Sequence, residues 1–130
     1  MLAGKPSKYF RMKVDKMKKF FVVFALLFSV NSHAVWVNVT GTVVNMVTYA
    51  HTDTILVTLS VPGQDVVECV NKTQFAISST MTEERRARIF AMLLSAKASE
   101  TPVTIAYNDV GSCEAYGSTT NAYRRVLRGY

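Results

Sequence analysis

The spacing of apolar residues along the chain changes twice, from alternation to helical spacing and back to alternation. This order of spacings constrains the fold more than any other feature. Three segments rich in alternating apolar residues come first, at residues 35–49, 55–59 and 66–70. Residues 81–98 then carry apolar side chains at helical spacing, and two more alternating segments follow at residues 103–107 and 122–127. Alternation is typical of half-buried strands, and a spacing of three and four is typical of helices. The predicted fold is therefore mainly β with one helix, in the order β-β-β-α-β-β.

The first predicted strand is long and contains a glycine. Gly41 interrupts the alternation of Val35, Val37 and Val39, and further valines follow it. A glycine inside a strand indicates a bulge or a sharp coil, which a small barrel needs in order to turn its corner. Closing the sheet into a barrel also removes exposed edges, which would promote aggregation in a chain rich in valine.

The helical segment carries signals at both ends. Thr80 with Glu83 three residues later fits a capping box, and Glu83 and Glu84 place negative charge in the first turn, where the helix dipole favours it. Pro102 ends the segment, because proline cannot continue a helix. We expect one helix over residues 81–98.

The first 34 residues have the organisation of a secretory signal peptide. A basic stretch is followed by the apolar run at residues 20–30 and by Ser32, His33 and Ala34, an order typical of a cleaved export signal. Cleavage after Ala34 is expected, because the apolar run has 11 residues and a membrane-spanning helix needs about 20. The alternative is an anchor that is retained. The sequence thus predicts a periplasmic or secreted protein with no membrane span after cleavage.

Residues 35–130 are predicted to form a single domain with balanced charge. The formal charge of +6 belongs to the leader, because the basic and acidic residues after position 34 are equal in number. The basic ones are Lys72, Arg85, Arg86, Arg88, Lys97, Arg124, Arg125 and Arg128, and the acidic ones are Asp53, Asp65, Glu68, Glu83, Glu84, Glu100, Asp109 and Glu114. Nucleic-acid-binding modules generally carry net positive charge, so a nucleic-acid partner is not expected.

The two cysteines are expected to pair. Cys69 and Cys113 are the only cysteines in the chain, and an even number in an exported protein indicates a disulfide. Such a bond would stabilise the domain by about 4 kcal/mol; two reduced thiols are the alternative. Two cysteines and the single histidine of the domain, His51, are too few for a zinc site. No metal and no cofactor are expected.

The predicted order of elements resembles that of the oligonucleotide/oligosaccharide-binding (OB) fold over nearly all of residues 35–130. The layout also resembles the exported B subunits of AB5 toxins, which have a leader, an internal disulfide, and a central helix followed by a strand such as residues 102–107. The resemblance implies a small five-stranded OB-like barrel. It further implies a homo-oligomeric ring with the helices at its centre, packed through Met81, Arg85, Met92 and Ser95.

Polar and aromatic residues fall in two predicted connections that flank the usual binding face of this topology. These are residues 49–54 and 108–121, and we expect the ligand-binding residues there. The candidates are Tyr49, His51, Asp53, Asn108, Asp109, Tyr116 and Asn121. Aromatic faces stack on sugars, and Asn and Asp bind hydroxyl groups. The alternative is that such residues occupy strand ends and turns without binding anything.

No catalytic residue is predicted. A ribonuclease with one histidine would need His51 to meet a glutamate and an arginine, such as Glu68 and Arg124, and the sequence does not place them together. The arginines of the helix and of the last strand could form an anion-binding surface or pair with nearby glutamates. The leading hypothesis is a non-enzymatic exported module that binds a glycan or a protein. The alternative is a periplasmic inhibitor or accessory protein for one protein partner, and a small secreted hydrolase comes third.

Overall fold

The computed structural model of the protein describes residues 33–130, and this part of the chain contains eight strands and one helix. The elements in chain order are β1 (Trp36–Gly41), β2 (Val43–Tyr49), β3 (Thr52–Leu59), β4 (Gln74–Ile77), α1 (Glu83–Ser99), β5 (Val103–Asn108), β6 (Cys113–Tyr116), β7 (Thr119–Arg125) and β8 (Arg128–Gly129). The prediction of a mainly β fold with one helix is confirmed.

The strands form two sheets. One sheet has the order β1-β5-β8, and the other has the order β2-β3-β4-β7-β6. Neighbouring strands are antiparallel except β4 and β7, which run parallel. The parallel pair lies on either side of the helix in the sequence, because a parallel connection needs a long crossover.

The predicted long first strand divides at Thr42, and its two halves lie in different sheets. The backbone N–H of Thr42 donates to the Ser60 hydroxyl over 2.9 Å, and the Ser60 N–H donates to the Thr42 carbonyl over 2.8 Å. A Cβ atom at Gly41 would lie only 2.9 Å from the Ser60 Oγ. Glycine therefore allows the close approach that holds the bend.

The chain passes between the sheets a second time, after β7. The N–H of Val126 donates to Ala76 in the five-stranded sheet, over 2.9 Å. The next N–H, of Leu127, donates to Ala106 in the three-stranded sheet, over 2.8 Å. Two consecutive residues thus bond to different sheets, and β8 then continues beside β5.

The prediction of a strand at residues 66–70 is wrong. Val66 and Cys69 are buried while Val67 and Val70 are exposed, so the side chains do not alternate. The Cys69 N–H bonds back to the Val66 carbonyl over 3.0 Å, which closes a turn instead of extending a ladder. The chain forms β4 instead at Gln74–Ile77, after the predicted segment.

Two boundaries near the chain's last hairpin also differ from the prediction. Residues 108–118, expected to be a loop, contain β6, and β7 begins at Thr119 instead of Ala122. Tyr116 pairs with Thr119, so two residues make the turn. One of them, Gly117, has a φ of 58°, the left-handed conformation that such short hairpin turns require.

The helix is capped by Thr82 and not by Thr80. The hydroxyl of Thr82 accepts a hydrogen bond from the Arg85 N–H over 3.4 Å, whereas the Thr80 hydroxyl bonds to Ser78 over 2.7 Å. The helix begins two residues later than predicted because the segment before it is already held by these serine and threonine contacts.

One apolar cluster takes side chains from both sheets and from α1. Leu93 and Ala96 are the buried residues of the helix, and Met81 and Met92 pack against the same cluster while half-buried. Two of the four residues expected to face a ring centre therefore contact the protein's own core.

Cys69 and Cys113 form a disulfide with an S–S distance of 1.98 Å, which confirms the predicted pairing. The bond ties the irregular segment after β3 to β6, at the edge of the five-stranded sheet. Ala34–Tyr130 form one compact unit. The predicted signal peptide lies outside the described residues, apart from its last two positions. Within residues 33–130, no helix has the length and apolar content to cross a membrane.

Candidate functional site

Four aromatic rings meet at one end of the five-stranded sheet, and we call them the aromatic surface: Tyr49, His51, Tyr116 and Tyr123. The centroid of the Tyr49 ring lies 5.7 Å from that of His51 and 5.4 Å from that of Tyr116. The Tyr116 ring lies 5.8 Å from that of Tyr123. All four side chains are exposed or half-buried, so their rings are available to a ligand.

Two hairpin turns position these rings. Tyr49 pairs with Thr52 at the end of β2, which leaves His51 in a two-residue turn. Tyr116 ends β6, and Tyr123 lies on β7 in the next hairpin. Tyr49, His51 and Tyr116, which come from the two predicted connections, thus lie close together.

The ring contacts also report the curvature of the sheet. Tyr49 and Tyr116 belong to β2 and β6, the two edge strands of the five-stranded sheet. In a flat sheet these edges would be about 19 Å apart, since neighbouring strands are separated by about 4.8 Å. Their rings are nevertheless 5.4 Å apart. The sheet therefore curls strongly toward itself at this end.

A polar cleft of about 430 Å³ adjoins the aromatic surface. It is lined by residues 49–53 and by Ser79. The carboxylate of Asp53 lies 3.7 Å from the guanidinium of Arg86, which also donates to the carbonyls of Ser79 and Met81. Asp53 and Arg86 thus place opposite charges beside hydroxyl groups, a combination that can bind the hydroxyls of a sugar.

Glu114 lies buried beneath this cleft, with 2% of its surface exposed. Its carboxylate accepts from the Ser79 N–H over 3.0 Å, from the Ser79 hydroxyl over 2.9 Å and from Arg125 over 2.7 Å. Burial acts to raise the pKa of Glu114, but the hydrogen bonds outweigh it and hold the pKa below its usual range. The ionised carboxylate therefore fixes the position of Ser79 in the cleft wall.

The Tyr116 hydroxyl, like an ordinary phenol, is neutral at physiological pH. Partial desolvation and the nearby Tyr49 phenol raise the pKa of Tyr116 above its ordinary value. A neutral phenol can both donate and accept a hydrogen bond. Tyr116 can therefore offer a ring face and a hydroxyl to the same ligand.

The other three predicted ligand-binding residues have different surroundings. The Asn108 amide donates to the Ser112 hydroxyl over 2.8 Å, and Asp109 accepts from the Val35 N–H over 2.8 Å. Asn121 is exposed, and its carbonyl accepts from the Val70 N–H. Among residues 33–130, no hydrogen bond or ion pair joins these three to the aromatic surface.

Arg124, which the sequence analysis considered for catalysis, has a structural position. Only 1% of it is exposed, and its guanidinium donates to the carbonyls of Pro62, Gln64 and Lys72 over 2.7, 3.1 and 2.9 Å. It also lies 4.0 Å from the centre of the Phe75 ring. Because these three hydrogen bonds all go to backbone carbonyls, Arg124 holds the segment after β3 in place.

Sequence reasoning missed Ser79, Arg86 and Glu114 as parts of the site. Arg86 and Glu114 appeared only as charges that could pair on the surface, and no local pattern distinguishes them from other surface residues. Tyr123 is an aromatic residue of the strand predicted at residues 122–127, so its residue type alone could have added it to the candidates.

Within residues 33–130, no three His, Cys, Asp or Glu side chains group together in a way that could hold a metal ion. Compared with known proteins, the chain matches no family model, no curated protein and no solved structure. The function proposed below rests on the geometry of the described residues.

Proposed function

We propose that the protein is a non-enzymatic binding module that recognises a glycan through the aromatic surface and the polar cleft beside it. The observation that carries the proposal is the convergence of four exposed or half-buried rings from two separate hairpins. Ligand sites generally combine aromatic faces with a few well-placed polar groups.

The chemistry of the two parts fits a sugar. The faces of a pyranose ring carry C–H groups, which pack on the faces of tyrosine and histidine rings. Sugar hydroxyls need donors and acceptors, and Asp53 and Ser79 supply them in the cleft, with the Arg86 guanidinium beside both residues. A nucleic acid fits less well, because the residues after the leader have balanced charge and polyanion binding depends on a net positive surface.

An OB-like barrel is part of this proposal, and the strand pairings support it. β1 runs into β2 across Thr42, and β7 runs into β8 across residues 126–127. β8 pairs with β5, and β5 pairs with β1, so two strands of the three-stranded sheet continue into strands of the five-stranded sheet, as a barrel would require. In OB folds the first-to-second and fourth-to-fifth strand connections bind oligosaccharides, and the aromatic surface occupies the corresponding turns. An experimental structure with β8 separated from β5 would contradict the barrel.

Export to the periplasm or to the medium is the second part of the proposed function. The disulfide supports it, because structural disulfides persist mainly in oxidising compartments. Mass spectrometry of the protein recovered from the periplasm or the medium should find a chain that begins at Val35 and contains the intact disulfide. A chain that retains residues 1–34 would contradict the proposed cleavage.

The glycan proposal is tested by a glycan array followed by calorimetry with the best-binding sugar. We expect Tyr49→Ala and Tyr116→Ala each to weaken binding at least tenfold, because each removes a ring at the centre of the surface. Tyr130→Ala is the matched control, since Tyr130 is 61% exposed and has no ring contact with the aromatic surface. The proposal fails if no sugar binds, or if Tyr130→Ala weakens binding as much as the other two changes.

A protein partner is the second candidate, and the segment after β3 favours it. Val61, Val67 and Val70 are 46%, 87% and 69% exposed, although Arg124 and the disulfide hold this segment rigidly. A rigid segment with exposed valines is typical of an inhibitor or accessory protein. Pull-down from periplasmic extract should then recover one stoichiometric partner, and Val67→Asp should abolish the capture while glycan binding is unchanged.

The homo-oligomeric ring implied by the toxin resemblance is a separate proposal. Leu94 is 48% exposed on α1, and Arg85 and Ser95 are exposed on the same helix. These side chains could contact neighbouring helices at a ring centre. A monomeric mass at micromolar concentration on a calibrated sizing column would rule the ring out and leave the glycan proposal unaffected.

A further inference from the structure

A second cleft lies between the start of α1 and β8. It shares no lining residue with the aromatic surface. Its volume is about 410 Å³, within the range typical of small-ligand sites. We call it the arginine cleft, because three of its lining residues are Arg85, Arg88 and Arg128. Its apolar lining consists of Met81, Ile89 and Leu127.

The three arginines differ from the others in this part of the chain. Arg86, Arg124 and Arg125 bond to backbone carbonyls or to buried Glu114. By contrast, within residues 33–130 neither Arg85 nor Arg128 has a carboxylate within ion-pair distance or a side-chain hydrogen bond. The guanidinium groups of Arg85 and Arg128 therefore line the cleft with no carboxylate among the described residues to neutralise their charge.

Arg88 adds a third guanidinium that is only weakly engaged. It lies 3.2 Å from the Glu84 carboxylate one helical turn earlier, and the two side chains are 68% and 81% exposed. Exposed pairs of this kind contribute little and exchange readily with other partners. Counting Glu84, the cleft and its rim carry about two net positive charges.

Arg128 is held in place by aromatic rings. Its guanidinium lies 5.3 Å from the centre of the Trp36 ring and 5.0 Å from that of Tyr130. These cation–π contacts reduce the rotamer freedom that the side chain would lose on binding a ligand. The charge at this side of the cleft is therefore pre-positioned.

The apolar lining is also fixed. Met81 and Ile89 pack against the core, and the backbone of Leu127 is bonded to β5 through Ala106. Gly129 lets the helix approach β8, because a Cβ atom at this position would collide with the methyl group of Met92. A bound apolar group would meet a surface that is already formed.

We propose that the arginine cleft binds a phosphate monoester joined to an apolar group. A phosphate monoester carries about −1.5 to −2 charges at neutral pH, which matches the net charge of the cleft. Guanidinium groups also bind phosphate oxygens in pairs through their planar N–H forks. The apolar group lies on Met81, Ile89 and Leu127. A free amphiphile and a lipid with a phosphate monoester headgroup supply the same chemistry.

Three probes separate the contributions of charge and apolar contact. n-Octyl phosphate, below its micellar concentration, carries both groups. Inorganic phosphate lacks the apolar chain, and octanoate carries one negative charge. In calorimetry with the oxidised protein, we expect n-octyl phosphate to bind at least tenfold more tightly than either of the others. Equal affinity for inorganic phosphate or for octanoate would overturn the proposal.

Matched variants locate the binding. Arg85→Gln and Arg128→Gln should each weaken binding of n-octyl phosphate about tenfold or more. Lys97→Gln changes the charge of the same helix by the same amount outside the cleft, and its affinity should equal that of the wild type. The Arg85 side chain has no hydrogen-bond or ion-pair partner among the described residues, so its replacement should leave the fold intact, which circular dichroism checks. A loss for Lys97→Gln equal to that for Arg85→Gln would show only a general charge effect and would also overturn the proposal.

Sedimentation with vesicles distinguishes the two sources of the ligand. Vesicles of phosphatidylcholine with and without phosphatidic acid differ in a phosphate monoester headgroup. Cosedimentation that depends on phosphatidic acid and on Arg85 assigns the ligand to a lipid surface. Binding of n-octyl phosphate without cosedimentation assigns it to a free amphiphile. The absence of both rejects the site, whatever the outcome for the aromatic surface.

Discussion

Replacing Arg124 by methionine tests how the segment after β3 is held. Methionine keeps apolar contact with the Phe75 ring but removes the three hydrogen bonds to the carbonyls of Pro62, Gln64 and Lys72. Hydrogen bonds from a charged donor contribute about 1.5 kcal/mol each at the lower end of their range. Within residues 33–130 the buried Nε of Arg124 has no hydrogen-bond partner, so its removal returns about 1 kcal/mol.

The expected net loss is therefore about 3 to 4 kcal/mol in the free energy of unfolding. A domain of this size has a total of about 5 to 15 kcal/mol, so the variant should still fold but with a much lower midpoint. Urea unfolding of the oxidised protein, followed by far-UV circular dichroism, measures the change. Arg88→Met is the control, because its exposed pair with Glu84 accounts for about 0.5 kcal/mol at most.

Two further measurements identify the mechanism. Arg124→Lys retains the charge but lacks the planar fork, so we expect it to recover less than half of the loss. The amide protons of Val70 and Asn71, which donate to carbonyls of β7, should exchange faster in Arg124→Met. A loss below about 1 kcal/mol, smaller than one charged hydrogen bond, or unchanged exchange at both amides would refute the structural role of Arg124.

Three other predictions concern the disulfide, a turn and a buried carboxylate. The double variant Cys69→Ser/Cys113→Ser should lose about 4 kcal/mol in urea unfolding, because the bond closes a long loop. Gly63→Ala should lose about 2 kcal/mol, since its φ is 73° and an added Cβ atom would lie 2.8 Å from a buried tyrosine hydroxyl. Gly111→Ala, at a φ of 66° where an added Cβ atom would meet no described atom within 4 Å, should lose about 1 kcal/mol in the free energy of unfolding. Equal losses for the two glycine variants would exclude a steric contribution at Gly63. The lowered folded-state pKa of Glu114 means that the stability provided by its ionised form is complete at neutral pH and is lost as the pH falls below about 4.3. Glu114→Gln should therefore be less stable than the wild type at pH 7 and approach it at pH 3 in unfolding curves, and a pH-independent difference would contradict this assignment.

The polar cleft and the aromatic surface differ in how far they could be predicted. Tyr49, His51 and Tyr116 lie at or beside strand ends, within the two connections that the alternation of apolar residues indicated, but their contact is seen only in the folded chain. Asn108 and Asp109 lie in the same predicted connection as Tyr116, yet they bond to Ser112 and to the backbone of Val35. A loop of this length turns back on itself, and the sequence does not say which of its residues faces the aromatic surface.

The segment at residues 66–70 shows the limit of periodicity. Its valines have the composition of a strand, but a strand also needs a neighbour with which to pair its backbone. The adjacent positions in the sheet are filled by β3 and β7, which both pair with β4. Lys72 instead bonds to the carbonyls of Val66 and Cys69, and Arg124 bonds to carbonyls on either side of the segment. Side-chain donors thus hold the segment where the pattern predicted a regular ladder.

The sequence by itself determined the mainly β composition with one helix, the break near Gly41 and the disulfide, because alternation, glycine conformation and cysteine pairing depend on nearby residues or on residue identity. Only the tertiary structure decided which charges are buried. Arg124 bonds to Pro62 across 62 positions, and Glu114 accepts from Ser79 across 35. A buried charge is stable only where several partners surround it, and such partners are assembled by the folded chain and not by any local pattern.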